Sequence, residues 1–358
     1  VERLQARIVK ATQEKKMEKV RSLQWTLTHS FSAKAIAVRR VTENRGRKTP
    51  GIDGKTWSTP KEKSQAITKL RRRGYYPLPV KRIYIPKANG KKRPLGIPTM
   101  HDRAMQALYL LGLDPVAETM ADQTSYGFRA KRGAADAIAS CFHKLAKRDA
   151  PQWIMEGDIQ ACFDCIDHTW LLNHVPMDKQ ILGKWLKAGY KEKGQHNATY
   201  QGTPQGGIIS PVLANIALDG MRKELKSCQS LKGKKVHLIR YADDFIITGV
   251  SYQIIEQEVF PLVESFLHGR GLSLSREKTK IVHIKKGFVF LGQNVRKYGE
   301  KLLIKPSKES CKSLLRQVKA TLKKSRNITC YELVIRLNPL LRGWGYYHHH
   351  VVSKAVFN

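Results

Sequence analysis

Two short runs place carboxylates among residues whose neighbours are apolar. Glu156-Gly157-Asp158-Ile159 ends a stretch of β character that begins at Trp153. Tyr241-Ala242-Asp243-Asp244-Phe245 sits between Leu238-Ile239 and Phe245-Ile246-Ile247. Flanks of this kind bury, so the acids between them are not an ordinary solvated face. Adjacent carboxylates at the edge of a core repel one another and resist desolvation unless a cation neutralises them. Their hard oxygens favour Mg²⁺, which keeps several waters and shares its shell with phosphates. Two such ions about 3.5–4 Å apart stabilise the attacking and leaving oxygens of an in-line phosphoryl transfer. That chemistry needs one Asp from each of two neighbouring strands. Turn geometry alone would also favour Asp at a hairpin, but two such runs in a strongly basic chain favour the metal.

The elements that must position these acids can be read on either side of them. Trp153–Ile159 reads as one strand, and Val236–Val250 as two strands meeting at Ala242-Asp243. Residues 1–42 read as helices, with Leu4, Ile8 and Ala11 on one face and Met17, Val20, Leu23 and Leu27 continuing at helical spacing. A loop covers Asn44–Gly54. Val80–Ile85 predicts a strand pair that turns at Asn89-Gly90. Helices are expected over 102–120, 134–147 and 169–190, and from Pro211 to about Ser227. Another carries Ile255, Val259, Leu262, Val263, Phe266 and Leu267 and ends at Gly269. Short strands fill 272–304, and Pro306 is expected to open a basic helical region. Helices mixed with hairpin-like strands predict an α+β fold.

Charge points to the partner. Lys and Arg number 65 against 29 Asp and Glu, a net +36, which a polyanion must neutralise. Nucleic acid fits, because phosphate neutralisation with counterion release supplies most of its non-specific affinity. Arg71 to Arg93 holds nine basic residues and no acidic one, including Arg71, Arg72 and Arg73, interleaved with Tyr75, Tyr76 and Tyr84. That pattern suits a groove that grips phosphates and packs on bases. No apolar run is long enough for a membrane helix: in 103–120, Arg103, Asp114 and Glu118 intervene. Cys162 and Cys165 form a C-x-x-C with no second pair, so reduced, partly buried thiols are expected. His348, His349 and His350 cannot point at one centre on a helix and are expected to meet RNA or solvent. Trp344 and Tyr346-Tyr347 are expected to pack within their helical region. No Walker-type phosphate loop occurs.

Taken in order, these segments resemble a reverse transcriptase of the group II intron-encoded kind. Tyr241-Ala242-Asp243-Asp244 resembles the catalytic box, and Asp158 with Phe163 five residues later resembles the other aspartate segment. Thr203-Pro204-Gln205-Gly206-Gly207-Ile208-Ile209-Ser210-Pro211 resembles the template- and nucleotide-positioning loop. Ile85-Pro86-Lys87 and Arg93-Pro94-Leu95-Gly96-Ile97-Pro98 resemble the segment that cradles the incoming triphosphate, and Phe290-Leu291-Gly292 the hairpin that grips the primer end. Gly51-Ile52-Asp53-Gly54, Ser125-Tyr126-Gly127-Phe128-Arg129 and Leu337-Asn338-Pro339-Leu340-Leu341-Arg342-Gly343-Trp344 match the intron branch, the last its maturase thumb.

The resemblance implies a right-hand polymerase: a helical extension over 1–45, fingers over 46–150, and a palm of antiparallel sheet plus helices over 151–304. A helical thumb follows over 305–358, incomplete at Asn358. Asp158 and Asp243 would ligate two Mg²⁺ ions with the Ile159 carbonyl, and Asp244 would complete the box. Phe163 would exclude a ribose 2′-hydroxyl, and Gln205 would contact nucleotide or template. Lys87 and Arg93 would neutralise the triphosphate, a point charge and a planar fork respectively. Lys278 would protonate the pyrophosphate leaving group, with Lys280 as its rival. Lys312, Arg316, Lys319 and Lys323 would hold RNA from the thumb. Implied partners are group II intron RNA, an RNA template with a DNA primer, dNTPs and target DNA, with no membrane. The implied setting is the bacterial cytoplasm near the nucleoid, or an organelle. Retron, CRISPR-linked and diversity-generating relatives, and a maturase that only binds RNA, stay open as alternatives.

Overall fold

A computed structural model of the protein describes residues 1–86, 90, 92–203 and 206–357. Lys87, Asn89 and Gln205, each singled out above, lie outside the described residues. The strands are β1 (Val80–Pro86), β2 (Lys92–Ile97), β3 (Trp153–Asp158), β4 (Tyr190–Glu192), β5 (Gln195–Asn197) and β6 (His237–Tyr241). They continue with β7 (Asp244–Gly249), β8 (Lys280–His283), β9 (Phe288–Phe290), β10 (Gln293–Tyr298) and β11 (Lys301–Pro306). Among the described residues no helix is long and apolar enough to cross a membrane. The chain divides into two compact units that interleave along the sequence.

The first unit comprises residues 1–122, 160–220 and 267–273. Helices Glu2–Gln13, Met17–His29 and Phe31–Glu43 pack on the long helix Met100–Met120. They do so through the predicted stripe, with Ile8, Ala11, Val20, Leu23 and Leu27 buried. β1 and β2 form the expected antiparallel pair, with Ile85 opposite Arg93, and the sheet runs β2-β1-β4-β5. Its base is tied down by a buried carboxylate. Asp102 accepts from the Tyr75 hydroxyl (2.7 Å), the Thr99 hydroxyl (2.7 Å) and the Leu78 N–H (3.2 Å). The helix expected over 169–190 is two helices, His168–His174 and Lys179–Leu186. Pro176 cannot continue the first, and the Asp178 side chain caps the second by accepting from the Gln180 and Ile181 N–H groups.

The second unit comprises residues 123–159, 221–266 and 274–358. Its main sheet runs β6-β7-β3-β8, with antiparallel pairing throughout. One core joins Ile154, Ile239 and Ile246 of that sheet to Ile138, Cys141 and Leu145 of helix Ala134–Leu145. The same core takes in Phe288, Phe290, Val295, Leu302 and Ile304 of the small sheet β11-β10-β9.

Three local readings are corrected here. The helix expected from Pro211 to Ser227 breaks after Leu218, where Gly220 takes φ +97°, and resumes over Met221–Ser227. The helix carrying Ile255 and Val259 widens into a π-turn over Ile255–Val259, with the Phe260 N–H donating to the Ile255 carbonyl. Pro261 follows without an N–H of its own, and the extra residue keeps Ile255, Val259 and Val263 on the buried side. Pro306 ends β11 and opens no helix. Ser307 caps helix Lys308–Lys324 by accepting from the Ser310 N–H at 3.1 Å.

Gly157 is dictated by packing. A Cβ there would fall 2.2 Å from the Phe245 ring, which is 1% exposed and lies opposite it in the sheet. Gly157→Ala should therefore cost about 1–3 kcal/mol of stability by overpacking, measured by urea unfolding. An unchanged midpoint would mean that the ring has room to move.

Candidate active site

Asp158 closes β3 and Asp244 opens β7, and the register sets them directly opposite each other. Opposed residues on neighbouring strands project to the same face, so the two carboxylates share one side of the sheet. Tyr241 pairs with Asp244 across β6 and β7, leaving Ala242-Asp243 as a two-residue loop. Ala242 takes φ +56° to make that turn, which carries Asp243 to the tip beside the end of β3.

The tip is braced from behind. The Arg240 N–H donates to the Thr124 carbonyl and the Tyr126 N–H to the Arg240 carbonyl, both at 2.9 Å, so residues 124–126 run alongside β6. Gly127 then passes so close that a Cβ would lie 2.4 Å from the Ala242 nitrogen. The Arg240 side chain is fully buried and donates from Nη1 to the Ala242 carbonyl at 3.1 Å. Arg240 is a positioning residue that the sequence reading missed. Its signal is an arginine directly after Leu238-Ile239 within a buried strand. The Ser125-Tyr126-Gly127 run, read only as a branch marker, is a structural brace.

The charge balance at the tip favours a proton or a cation. Crowding by protein on its inner side, then the neighbouring Asp243 and Asp158, push the Asp244 carboxyl up to about 6 although its outer edge reaches solvent. Lys278 opposes that shift. Its Nζ lies 2.9 and 3.2 Å from the two Asp158 oxygens. Its loop is held by the Ser275 N–H donating to the Asp158 carbonyl at 2.8 Å. Lys280, the rival, instead stands opposite Glu156 in the β3–β8 register.

Ile159 forms a bridge with Leu274. The hydrogen bonds on either side of that bridge, Ser275 N–H to Asp158 O and Gln160 N–H to Ser273 O, make it a non-bonded pair. Its own carbonyl is thereby directed to the opposite side of the strand, the β7 side. Among the described residues no three His, Cys, Asp or Glu side chains converge on one point. The candidate donor set is therefore open, carboxylates taken in pairs and a backbone oxygen. An open set fits Mg²⁺, which retains water and takes phosphate oxygens.

The other predicted residues are distributed as follows. Phe163 is half-buried on the short helix Cys162–Cys165 of the first unit, and its carbonyl accepts from the Thr203 N–H at 2.6 Å. Beyond the undescribed pair 204–205, Gly206 presses on β2, where a Cβ would lie 2.3 Å from the Gly96 carbonyl oxygen. Arg93 is exposed on β2. Arg71 and Arg73 are exposed, whereas Arg72 is engaged by Asp178 and by Gln180 at 2.9 Å. Lys312, Arg316, Lys319 and Lys323 line one exposed face of helix Lys308–Lys324, Arg316 being paired with Glu309. Cys162 and Cys165 are free thiols, one buried and one half-buried. His348 departs from expectation: it is 1% exposed and bonded within the fold, not open to RNA or solvent.

The raised Asp244 value yields a signed prediction for the metal-free protein. An acid that holds its proton more tightly when folded adds stability at low pH and loses it as pH rises from its ordinary 3.8 toward about 6. In EDTA, wild type should lose stability relative to Asp244→Asn across that window. Urea midpoints at pH 4, 5, 6 and 7 measure it, and parallel curves would contradict it.

Comparison with known proteins gives the same picture. Residues 85–295 match the family described as reverse transcriptase (RNA-dependent DNA polymerase). Residues 1–70 match the N-terminal domain of reverse transcriptase, and 311–358 the maturase-specific domain of group II introns. Protein YkfC of Escherichia coli (strain K12) is 34% identical over 74% of this chain and 82% of its own length. The group II intron-encoded protein LtrA of Lactococcus lactis subsp. cremoris is 33% identical over 73% of this chain, which spans about half (54%) of that protein. Among solved structures, a telomerase from Candida albicans with a fragment of telomeric RNA aligns at a TM-score of 0.49 and 15% identity, over 77% of this chain and 54% of its own. The chain belongs to the reverse transcriptase family, in the group II intron-encoded branch that carries a maturase-specific domain.

Proposed function

We propose that this chain copies RNA into DNA at the Asp158–Asp243–Asp244 site and binds group II intron RNA as a maturase. The observation that carries the reading is the register of β3 and β7. It sets Asp158 against Asp244 with Asp243 on the adjoining tip, so that carboxylates from both strands meet at one end of the sheet. Two Mg²⁺ ions on Asp158, Asp243 and the Ile159 carbonyl would supply charge neutralisation for the attacking and leaving oxygens. Arg93 and Lys87 bind the triphosphate of the incoming dNTP, and Gln205 contacts nucleotide or template. Phe163 occupies the space of a ribose 2′-hydroxyl. Lys278 is the proton donor to the departing pyrophosphate, a choice supported by its amine lying against Asp158 while Lys280 faces Glu156. The division into an extension (1–45), fingers (46–150), palm (151–304) and thumb (305–358) belongs to the same proposal. So do the RNA template with its DNA primer, target DNA, and thumb contacts through Lys312, Arg316, Lys319 and Lys323.

Asp243→Ala should abolish dNTP addition to a primer on an RNA template while leaving RNA affinity within about twofold, since many distributed phosphate contacts supply binding. Extension near the wild-type rate would remove the catalytic assignment. Phe163→Ala should raise the ratio of ribonucleotide to deoxyribonucleotide incorporation in single-turnover assays; an unchanged ratio would assign sugar choice elsewhere. Replacing Lys312, Arg316, Lys319 and Lys323 by Gln should lower the salt slope of intron RNA binding by roughly two to three. The full effect of four charges is not expected because Glu309 already engages Arg316. An unaltered slope would exclude that face from RNA contact.

A further inference from the structure

The β9–β10 turn, read above as the primer-gripping hairpin, is held in an unusual backbone state. Phe290 pairs with Gln293, so Leu291-Gly292 is a two-residue loop with φ +49° and +73°. Both values are positive, the geometry that such hairpins reserve for Asn, Asp or Gly. Leucine disfavours it by steric crowding, so the surrounding structure must hold it in place.

The holding groups come from the thumb side of the second unit. The Tyr347 hydroxyl donates to the Leu291 carbonyl at 2.8 Å, and the Ser307 N–H donates to the Gly292 carbonyl at 2.9 Å. Both carbonyls of the loop are thus taken. The next residue on the helix, His348, is buried and lies 3.0 Å through Nδ1 from Gln293 Oε1, the residue that follows the loop. Its Nε2 is 2.9 Å from Ser310 Oγ, which also accepts from Trp344 Nε1 at 3.1 Å. Burial pushes the imidazole below its ordinary value, so the ring is neutral, and its partners assign the proton to Nδ1. Trp344 donates to Ser310, Ser310 to His348, and His348 to Oε1 of Gln293, whose amide nitrogen is buried without a partner among the described residues. Tyr346, one position earlier, is 74% exposed.

We propose that Tyr347 and His348 are positioning residues for the primer end: the last turn of the maturase-domain helix locks the Leu291-Gly292 loop in its strained form. The inference rests on the reading of that loop as the primer-contacting element. It adds that primer alignment and seating of this helix are one event. A polymerase whose helix is unseated binds nucleic acid through its phosphate contacts but adds nucleotides slowly.

Tyr347→Phe is the sharp variant, because it deletes one hydroxyl and keeps the ring beside Gly292. At saturating dNTP and primer–template, its single-turnover rate should fall about three- to tenfold, the loss expected for one hydrogen bond felt in the aligned state. The dissociation constant for primer–template and the thermal midpoint should stay near wild type. Tyr346→Phe should match wild type in all three. His348→Asn, which keeps a donor toward Gln293, should retain more rate than His348→Leu. An unchanged rate for Tyr347→Phe overturns the proposal, as does a loss that merely tracks a lowered thermal midpoint. A separate arm tests the reading beneath it. A benzophenone amino acid at Val289, a half-exposed neighbour of the loop, should photocrosslink to the primer strand. Failure to capture primer overturns the primer reading itself, whatever Tyr347→Phe does.

Discussion

Repulsion among three carboxylates at the end of one sheet is the constraint on which the rest of this structure depends. Asp158 and Asp244 end two adjoining strands and Asp243 sits on the loop beside them, with the Lys278 amine bonded to Asp158. Left alone, such a cluster would splay apart or take up a proton, and Asp244 is already pushed toward that second course. The strands beneath it must therefore be stiff enough to hold the charges together, as the proposed divalent-ion site would require. Rigidity here has a specific chemical use, because an ion site with an open shell gains precision only from a preset donor geometry.

That stiffness comes from close backbone approaches backed by buried polar bonds. Gly157 leaves room for the Phe245 ring against β3, at the position next to the paired acids. Gly127 lets residues 124–127 press on the hairpin tip, and Arg240 clamps the Ala242 carbonyl from inside. The β9–β10 loop is treated in the same way, its two carbonyls bound by Tyr347 and by the Ser307 backbone. In the two loops a positive-φ backbone is held by donors on neighbouring residues, Arg240 at Ala242 and Tyr347 at Leu291.

The acids themselves were legible in the sequence because they violate the pattern around them. Carboxylates between Leu238-Ile239 and Phe245-Ile246-Ile247 cannot be explained by solvation, and the strand reading on either side held to within one or two residues at β3, β6 and β7. The helical faces of residues 1–42 were legible for the same reason, since the period repeats over several turns. Interruptions were harder. Pro176, Gly220 and Pro261 each break or widen a helix whose apolar spacing continues across them, and periodicity alone does not register the break. Pro306 was misread because proline opens helices and ends strands equally well. His348 was expected at RNA or solvent, not in the core, because its partners, Gln293 and Ser310, are 55 and 38 positions away. A polar side chain satisfied over that separation carries no local mark.

The central claim is that these carboxylates hold the ions for nucleotide addition. It is tested most directly by counting ions in a stalled complex. Wild-type protein would be loaded with an RNA template, a primer ending in a dideoxynucleotide and the next dNTP, and Mn²⁺ binding followed by electron paramagnetic resonance. The account predicts two tightly bound ions per complex in wild type, and loss of at least one in Asp158→Asn and in Asp243→Asn at unchanged primer–template occupancy. Equal ion counts in wild type and in both variants would contradict it.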